Sequence, residues 1–473
     1  MSRPLWTSAE LAAATGGRAL GTWSAEGVSI DSRTIAAGEL FVALRGPNHD
    51  GHDFVREALA RGARAVVDRL PEGMPAGAPL LLVDDTMAAL RALGEAARAR
   101  SRARIIAITG SVGKTGTKEA LRLALAGQAP THASAASHNN HWGVPLSLAR
   151  EPLDAAYAIY ELGMNAPGEI AELARMVKPQ VALITAVEAA HLGFFPSLAE
   201  IAEAKGEIFQ GLEPGGIAVL NADSPHHARL RELAEAAGCS RIIGFGEARG
   251  AKARLLEMRL DAAGSDLVMT LEGREIAFRI GAPGRHWVSN ALAVVAAAFA
   301  LGADPWKVAR ALARFSPPKG RGLQHEIPWR GGRLRVIDES YNANPASMRA
   351  ALALLGMAHG RRIAVLGDML ELGGEGHALH AGLADAIAAQ RVDLVFTAGP
   401  LMRQLHEALP AARRGAHAPS SAALLPELLA RLEAGDVVLV KGSLGSRMGP
   451  IVEALLAEGE RARTARATER ARS

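Results

Sequence analysis

The stretch ITGSVGKTGT, residues 108–117, combines glycines, a lysine and hydroxyl side chains in an order suited to binding phosphate. RIIAI (104–108) has the apolar pattern of a buried strand and KTGTKEALRLALA (114–126) that of a helix, so the glycines fall in the turn between them. Backbone N–H groups in such a turn attract phosphate oxygens. We therefore predict a nucleotide-phosphate loop made by Gly110, Ser111, Val112, Gly113, Lys114, Thr115 and Gly116.

Within this loop, Lys114 can reach the terminal phosphates and Thr115 can bind magnesium. The alternative is a tight turn whose lysine and threonine merely start a helix, and the position between strand and helix disfavours it. Ile108 stands where the general pattern G-x4-G-K-[ST] has its first glycine. By itself the loop indicates only that the chain binds ATP or GTP.

Two further polar residues follow predicted strands. Glu161 comes directly after YAIY (157–160), and His191 comes shortly after VALITAV (181–187). In open α/β sheets, functional groups gather at the carboxyl ends of the strands, so both are candidate magnesium ligands beside the loop. Taken singly, each pattern also fits an ordinary loop residue, and both interpretations remain open.

Lys205 interrupts the apolar face of a predicted helix. PSLAEIAEAKGEIFQGL (196–212) opens with the S-x-x-E capping pattern, and its apolar face consists of Leu198, Ile201, Ile208 and Leu212. Lys205 fills the missing position of that face. It could extend its ammonium to water; if it is buried, desolvation lowers its pKa, and the neutral amine can take up carbon dioxide as a carbamate that binds a hard metal. The sequence leaves both outcomes open.

The order of apolar runs predicts an α/β protein of three domains. Short strands around one or two helices occupy residues 1–85, uniformly apolar strands alternating with helices occupy 86–315, and a second such series occupies 316–473 after the linker-like FSPPKGRG. The central pattern is typical of a mostly parallel sheet, and the last of a Rossmann-like domain.

Composition narrows the possible partners. The net charge of +4 equals the excess of five arginines over one glutamate in the last thirteen residues, RARTARATERARS, so the body is balanced and offers no extended basic face for nucleic acid. One cysteine, Cys239, fits a reducing compartment, for which cytoplasm is the default. The best apolar stretch, ALAVVAAAFALGA (291–303), is too short to insert into a membrane.

A longer set of motifs resembles one family along nearly the whole chain. It comprises TGSVGKT, SHNNHWGVPLSL (137–148), ELGMNAPGEI (161–170), AHLGFF (190–195), EAKGEIF (203–209), GRHWVSNALA (284–293), DESYNANPASM (338–348) and LGDMLELG (366–373). These resemble the Mur ligases of bacterial peptidoglycan synthesis. The resemblance implies a small N-terminal α/β domain that binds UDP, a central P-loop ATPase domain and a C-terminal Rossmann-like domain. Within this family the shorter TGxxGKT loop is usual, so Ile108 is no departure.

The resemblance also assigns roles to individual positions. It implies catalytic roles for Lys114, Lys205 and His191, and two magnesium ions held by Thr115, Glu161, His191 and a carbamylated Lys205. The implied ATP-site residues, besides the phosphate loop, are Asn290, Arg321, Asp338 and Glu339. The implied substrate residues are Ile30, Ser32 and Asn48 for UDP, Asn139 and Asn140 for the peptide, and Tyr341, Asn342 and Asn344 for the incoming amine.

Two departures qualify these roles. Ser137 stands where many members of this branch have asparagine, and Glu339 stands where aspartate is frequent, next to Asp338. The stretch Tyr341 to Asn344 also fits a plain Asn/Pro turn.

SYNANP and LGDMLELG resemble the corresponding segments of one branch of the family. Members of that branch add D-alanyl-D-alanine to UDP-N-acetylmuramoyl-tripeptide through an acyl phosphate. That implies ATP and these two molecules as partners, and a monomer whose domains close by hinges near residues 85 and 316. Two alternatives remain. One is a related ligase that adds a single amino acid, or glutamate to a folate; the other is a P-loop module that switches conformation without ligating anything.

Overall fold

The structure is a computed structural model that describes residues 3–74, 77–135, 137–189 and 193–472. Its N-terminal part is a small mixed sheet with helices on its faces. Its elements are β1 (Trp6–Thr7), α1 (Ser8–Thr15), β2 (Arg18–Ala19), β3 (Ser24–Ala25), β4 (Gly27–Ser29), β5 (Glu39–Val42), α2 (Val55–Ala60), β6 (Arg64–Val67) and β7 (Leu80–Leu82). The sheet order is β2-β7-β6-β5-β4, with only the β2–β7 pair antiparallel, and β1 pairs with β3 separately.

The middle part is built on a sheet of nine strands. Its elements are α3 (Thr86–Arg100), β8 (Arg104–Thr109), α4 (Lys114–Ala126), β9 (Thr131–Ala133), α5 (Gly143–Ala149), β10 (Tyr157–Glu161), α6 (Glu169–Val177), β11 (Val181–Ile184), α7 (Leu198–Gly206), β12 (Ile217–Asn221), α8 (His227–Ala236), β13 (Arg241–Gly246), β14 (Ala253–Asp261), β15 (Gly264–Leu271), β16 (Arg274–Ile280), α9 (Arg285–Ala300) and α10 (Pro305–Leu312). The sheet order is β16-β15-β14-β13-β12-β11-β8-β10-β9. Strands β8 to β13 pair in parallel, whereas β14, β15 and β16 form an antiparallel extension.

The C-terminal part carries a six-stranded sheet. Its elements are β17 (Leu323–Trp329), β18 (Gly332–Glu339), α11 (Pro345–Gly356), β19 (Arg362–Gly367), α12 (Gly376–Ala381), α13 (Leu383–Ala389), β20 (Leu394–Ala398), α14 (Met402–Ala408), β21 (Arg414–Ala418), α15 (Ser421–Arg431), β22 (Val437–Lys441) and α16 (Gly449–Arg472). The order is β17-β18-β22-β19-β20-β21, with β17 antiparallel to β18 and the other pairs parallel.

The three sheets confirm the predicted α/β class with parallel-sheet cores. Each sheet lies inside one of the three predicted segments, while the boundaries at residues 85 and 315 stay predictions. The antiparallel extension of residues 253–280 has no counterpart in the sequence analysis. In the described part of the chain, no helix has both the length and the hydropathy that a bilayer crossing requires.

Buried contacts hold the N-terminal sheet against the middle part. The indole N–H of Trp6 donates to the carbonyl of Ala149 at 2.9 Å, and the buried Thr86 hydroxyl donates to the carbonyl of Ala43 at 2.9 Å. Helices α1, α3 and α5 share one apolar core that also contains residues of β4, β5 and β10. Helix α3 therefore joins the two parts through its packing. Breaking a buried hydrogen bond of this kind is costly, because a donor or acceptor is left buried without a partner.

His132 ties the edge strand β9 to α5. Its Nε2 donates to the carbonyl of Ser147 at 2.8 Å, and burial lowers the pKa of this imidazole from 6.5 to about 4. The unfolded chain therefore binds the proton more tightly, so stability is lost as the pH falls from about 6.5 through about 4. In the parent protein, this group should make the unfolding free energy roughly 2 kcal/mol lower at pH 4.5 than at pH 7. We expect His132→Gln to lose this part of the pH dependence, measured by urea unfolding at the two pH values. The exposed variant His359→Gln should leave that difference unchanged.

Candidate active site

The predicted phosphate loop joins β8 to α4, as the sequence indicates. Ile108 belongs to β8, where it is fully buried between Glu161 of β10 and Leu183 of β11. An apolar side chain is therefore required at this position, and the loop itself begins after Thr109.

Two glycines of the loop have backbone shapes and surroundings that exclude side chains. Gly110 has φ +149°, and a Cβ there would lie 2.0 Å from the hydroxyl oxygen of Thr185. Gly113 has φ +86°, and its Cβ would lie 2.8 Å from Oδ1 of Asn290. Both positions combine positive φ with close approach, so glycine is needed for the loop to keep its shape.

Lys114 starts α4 and points back into the loop. Its ammonium donates to the carbonyl of Gly110 at 2.6 Å. Burial lowers the pKa of Lys114, an effect partly offset by the negative charge of Glu161. The carbonyl of Gly110 is a neutral acceptor, and a phosphate oxygen is a stronger, charged acceptor for an ammonium.

Thr115 and Glu161 meet at the carboxyl ends of β8 and β10. The Thr115 hydroxyl donates to Oε2 of Glu161 at 2.9 Å, and the amide of Asn139 donates to Oε1 at 2.8 Å. Glu161 is buried, with 1% of its surface exposed. A hydroxyl and a carboxylate held this close supply oxygen ligands of the kind that magnesium prefers.

Ser137 links this cluster to the C-terminal part. Its hydroxyl lies 3.2 Å from that of Thr115, and Arg321 donates to it at 3.1 Å. The Arg321 guanidinium also lies over the ring of Tyr341, 4.3 Å from the ring centroid. The departure from asparagine at Ser137 thus falls at a contact between the phosphate loop and the C-terminal part.

Lys205 is buried rather than extended to water, since only 2% of its surface is exposed. Helix α7 ends at Gly206 and a 3-10 helix follows over Glu207–Gly211, so the predicted helix is shorter than expected. Leu198, predicted on the buried face, is 38% exposed. Desolvation, aided by the charge of Lys114, holds the pKa of Lys205 well below its ordinary value.

Lys205 forms no ion pair with a carboxylate among the described residues, although it is enclosed. His191, another predicted magnesium ligand, lies outside the described residues. Its role as a metal ligand and catalytic residue stays a prediction.

The two neighbouring acids predicted at the nucleotide lie in different surroundings. Asp338 is fully buried and accepts hydrogen bonds from the backbone of Gly320 at 2.8 Å and from the Ser340 hydroxyl at 2.6 Å. Glu339 lines the cavity and pairs with Lys441, whose ammonium is 3.0 Å away. The structure therefore makes Asp338 an anchor of the loop at Gly320 and leaves Glu339 facing the cavity.

The predicted asparagines also serve local structure. Asn344 caps α11 by accepting from the backbone of Ser347 at 2.8 Å, and Asn140 accepts from the backbone of Gly143 at 2.9 Å. The Asn/Pro turn considered for this stretch is thus present as a helix N-terminus. Tyr341, Asn342 and Asn344 nevertheless line the same cavity as Lys114.

This cavity has a volume of about 590 Å³ and lies between the middle and C-terminal parts. It brings together these predicted residues: Ser111, Val112, Gly113, Lys114, Thr115, Gly116, Asn139, Asn140, Glu161, Lys205, Asn290, Arg321, Glu339, Tyr341, Asn342 and Asn344. Trp287 closes one side and packs on Gly116, where a Cβ would lie 2.6 Å from its ring.

Three predicted substrate residues lie elsewhere. Ile30 and Ser32 follow β4, and the exposed Asn48 follows β5, so they share the carboxyl edge of two parallel strands of the N-terminal sheet. They do not line the cavity described above. The N-terminal sheet therefore carries a separate group of candidate binding residues.

The charged residues of the cavity that sequence reasoning missed include Lys441 and Glu188. Lys441 is the last residue of β22, and Glu188 follows β11 by four positions. The rule that singled out Glu161, a polar residue at the carboxyl end of an apolar strand, could have found both.

Models of known protein families match most of the chain. The family model described as Mur ligase middle domain matches residues 108–298. Models described as Mur ligase family, catalytic domain, and Mur ligase, glutamate ligase domain, match residues 24–100 and 327–444.

Individual proteins match over nearly their full length. A protein of Rickettsia prowazekii named UDP-N-acetylmuramoyl-tripeptide--D-alanyl-D-alanine ligase is 34% identical over 450 residues, which is 95% of this chain and 99% of the relative. A crystal structure of MurF from Acinetobacter baumannii has a TM-score of 0.83 at 32% identity, covering 96% of this chain and 99% of that one. The MurF ligase of Thermotoga maritima in complex with ADP has a TM-score of 0.75 at 25% identity, with 92% and 98% covered.

Proposed function

The chain belongs to the Mur ligase family, and from that premise we propose that it is the ATP-dependent ligase that joins D-alanyl-D-alanine to UDP-N-acetylmuramoyl-tripeptide. The products are the UDP-muramoyl-pentapeptide precursor of peptidoglycan, ADP and phosphate. The observation that carries this proposal is one cavity lined both by the phosphate loop around Lys114 and by the stretch from Tyr341 to Asn344.

Amide formation requires the substrate carboxylate to be activated, because hydroxide is a poor leaving group. Transfer of the γ-phosphoryl of ATP to this carboxylate gives an acyl phosphate, which the amine then attacks. Lys114, on the wall of the cavity, is placed to spread the charge of the phosphoryl during transfer. Its donation to Gly110 is a bond that a phosphate oxygen can replace.

The residues present fit a magnesium ion. Thr115 and Glu161 provide a hydroxyl and a buried carboxylate in contact, with Asn139 fixing the second carboxylate oxygen. When bound, magnesium neutralises phosphate charge and draws the reacting anions together. Thr115 and Glu161 would hold one ion, and His191 with a carbamylated Lys205 would hold a second.

The burial of Lys205 supports the carbamate. An ammonium enclosed without a carboxylate partner among the described residues is costly, and the lowered pKa favours the neutral amine. Addition of carbon dioxide converts that amine into an anionic oxygen ligand. This reaction releases one proton and would place one negative charge beside Lys114.

The remaining predicted residues divide between nucleotide and substrates. Asn290, next to Gly113, and Glu339 would bind ATP, whereas Asp338 would act through the loop at Gly320. Ile30, Ser32 and Asn48 would bind UDP. The muramoyl peptide would run from there toward Asn139 in the cavity.

Reaction requires the substrates from separate parts of the molecule to meet, so hinge motion near residues 85 and 316 is part of the proposal. In this structure the middle and C-terminal parts already touch, since the backbone N–H of Gly193 donates to the carbonyl of Glu371 at 2.8 Å. We also propose a monomer that works in the cytoplasm.

The proposal is tested by ADP release with UDP-muramoyl-tripeptide, comparing D-alanyl-D-alanine with single amino acids as the amine. We expect release that depends on both substrates and on magnesium, with single amino acids at least tenfold less active. Activity with glutamate or another single amino acid alone would assign the chain to a different member of the family. ATP binding without carboxylate-dependent ADP release would indicate a switching module.

A further inference from the structure

The incoming amine poses a chemical requirement that the phosphate loop does not meet. At neutral pH the dipeptide carries an ammonium group, and its nitrogen can attack an acyl phosphate only after losing a proton. A base within hydrogen-bond reach of that nitrogen would remove the proton, and carboxylates and imidazoles are the usual choices. The cavity should therefore contain a base that is not already engaged.

The carboxylates that line the cavity are Glu161, Glu169, Glu188 and Glu339. Three are occupied: the first by Thr115 and Asn139, the second by the backbone N–H of Asn165 at 2.7 Å, and the last by Lys441 at 3.0 Å. The carboxylate of Glu188 forms no hydrogen bond or ion pair with any other residue that the structure describes. It is the acidic side chain left available for a cationic ligand.

The backbone of Glu188 is fixed relative to the phosphate loop. The Ser111 hydroxyl donates to the carbonyl of Glu188 at 3.0 Å and accepts from its N–H at 3.0 Å. Ser111 is itself buried and belongs to the loop that precedes Lys114. Glu188 is therefore anchored beside the place where phosphate is expected, although it follows β11 and the phosphate loop follows β8.

Helix α11 supplies other parts of the cavity wall. Its side chains that line the cavity are small, namely Ala346, Ser347, Ala350 and Ala351. Burial raises the pKa of Glu188, while the positive charges of Arg349 on α11 and of His226 at the start of α8 act in the opposite direction. A cavity with a small-residue wall and an unengaged carboxylate suits a short, cationic peptide end.

We propose that the carboxylate of Glu188 receives the ammonium of the incoming dipeptide and takes the proton that this nitrogen must lose. The inference rests on the proposed ligase function. The neutral nitrogen then attacks the acyl carbon, the C–N bond forms, and the C–O bond to the phosphoryl group breaks. The phosphate leaves with that electron pair and takes the second proton of the nitrogen, and Glu188 returns its proton to water.

The test separates the amine step from phosphoryl transfer. Hydroxylamine is a small nucleophile that is uncharged at neutral pH, so it can capture the acyl phosphate as a hydroxamate without needing a base for an ammonium. In Glu188→Gln, we expect the kcat for ligation of D-alanyl-D-alanine to fall by about a hundredfold or more. Hydroxamate formation from UDP-muramoyl-tripeptide, ATP and hydroxylamine should stay within about twofold of the parent enzyme.

Two further variants make the result specific. Glu188→Asp keeps a carboxylate and should recover part of the ligation rate. Glu200→Gln removes an exposed carboxylate from α7 and should leave both reactions unchanged. Thermal unfolding of each variant shows that it is folded.

Loss of both reactions in a folded Glu188→Gln would place this residue in phosphoryl transfer and overturn the inference, as would retention of both. In the latter case His286, which lines the same cavity, becomes the base to test. If the parent enzyme itself forms no hydroxamate, the ligase function fails, which is a different outcome from failure of the role of Glu188.

Discussion

Lys205→Ala is expected to remove nearly all ligation activity while the protein remains folded. If a carbamylated Lys205 is a metal ligand, the substitution removes an anionic oxygen from beside the phosphates. Metal-assisted charge stabilisation amounts to several kcal/mol, so turnover should fall by roughly a hundredfold to a thousandfold. Added bicarbonate should restore nothing, because the amine that would react with carbon dioxide is gone. ADP release under saturating substrates measures the effect.

The shortened side chain also allows the two states of Lys205 to be distinguished. Acetate can occupy the space left by the lysine and supply a carboxylate, whereas methylamine supplies only a cation. Recovery of part of the rate with acetate is expected, and recovery with methylamine instead would show that the working form is an ammonium. Near-normal turnover of Lys205→Ala would contradict both roles. The exposed Lys307→Ala is the matched control and should behave like the parent enzyme.

The residues nearest the phosphate loop could be predicted because their positions follow from local rules. A buried strand, a glycine turn and a helix fix Lys114 and Thr115 within ten residues of chain. Glu161 follows because β8 and β10 pair in parallel, with Ile108 opposite Glu161. Lys205 interrupts the apolar face of a predicted helix, and its burial is one of the two outcomes that this pattern allows.

Other features depend on tertiary contacts that no local pattern encodes. Asp338 and Glu339 are chemically alike in sequence, yet the backbone of Gly320 occupies one and Lys441 the other. Leu198 shares a helical face with the buried Ile201, but it is the first residue of α7 and is exposed. In β14, the first strand of the antiparallel extension, buried side chains are mixed with exposed ones. Such a mixed pattern predicts a strand less clearly than the uniformly apolar sequence of the parallel strands does.

Among the described residues, four lysine and arginine side chains line the cavity: Lys114, Lys205, Arg321 and Lys441. Four cations close together repel one another unless anions separate them. Glu339 pairs with Lys441 and the Tyr341 ring faces Arg321, whereas the charge of Lys114 disfavours the ammonium form of Lys205. Phosphate at Lys114 and a carbamate at Lys205 both relieve that repulsion, so the two proposals support each other electrostatically.

Lys114→Met is expected to suppress phosphoryl transfer without loss of substrate binding. Methionine keeps most of the buried stem but removes the ammonium that spreads charge in the transition state. Removal of one such group typically costs about a hundredfold to a thousandfold in kcat, and ADP formation should fall by that amount. Binding of UDP-muramoyl-tripeptide, measured by calorimetry without ATP, should change by less than about threefold.

ADP formation and binding of the UDP substrate should respond differently, because the residues proposed for each lie in different parts of the protein. Ile30, Ser32 and Asn48 belong to the N-terminal sheet and do not line the cavity that contains Lys114. If Lys114→Met reduces only ADP formation and hydroxamate capture, the lysine therefore acts at the phosphoryl group. Unchanged ADP release would contradict the assignment of the loop. If binding of the UDP substrate weakened as much as ADP formation, Lys114 would instead hold the muramoyl peptide or support the closed arrangement of the domains.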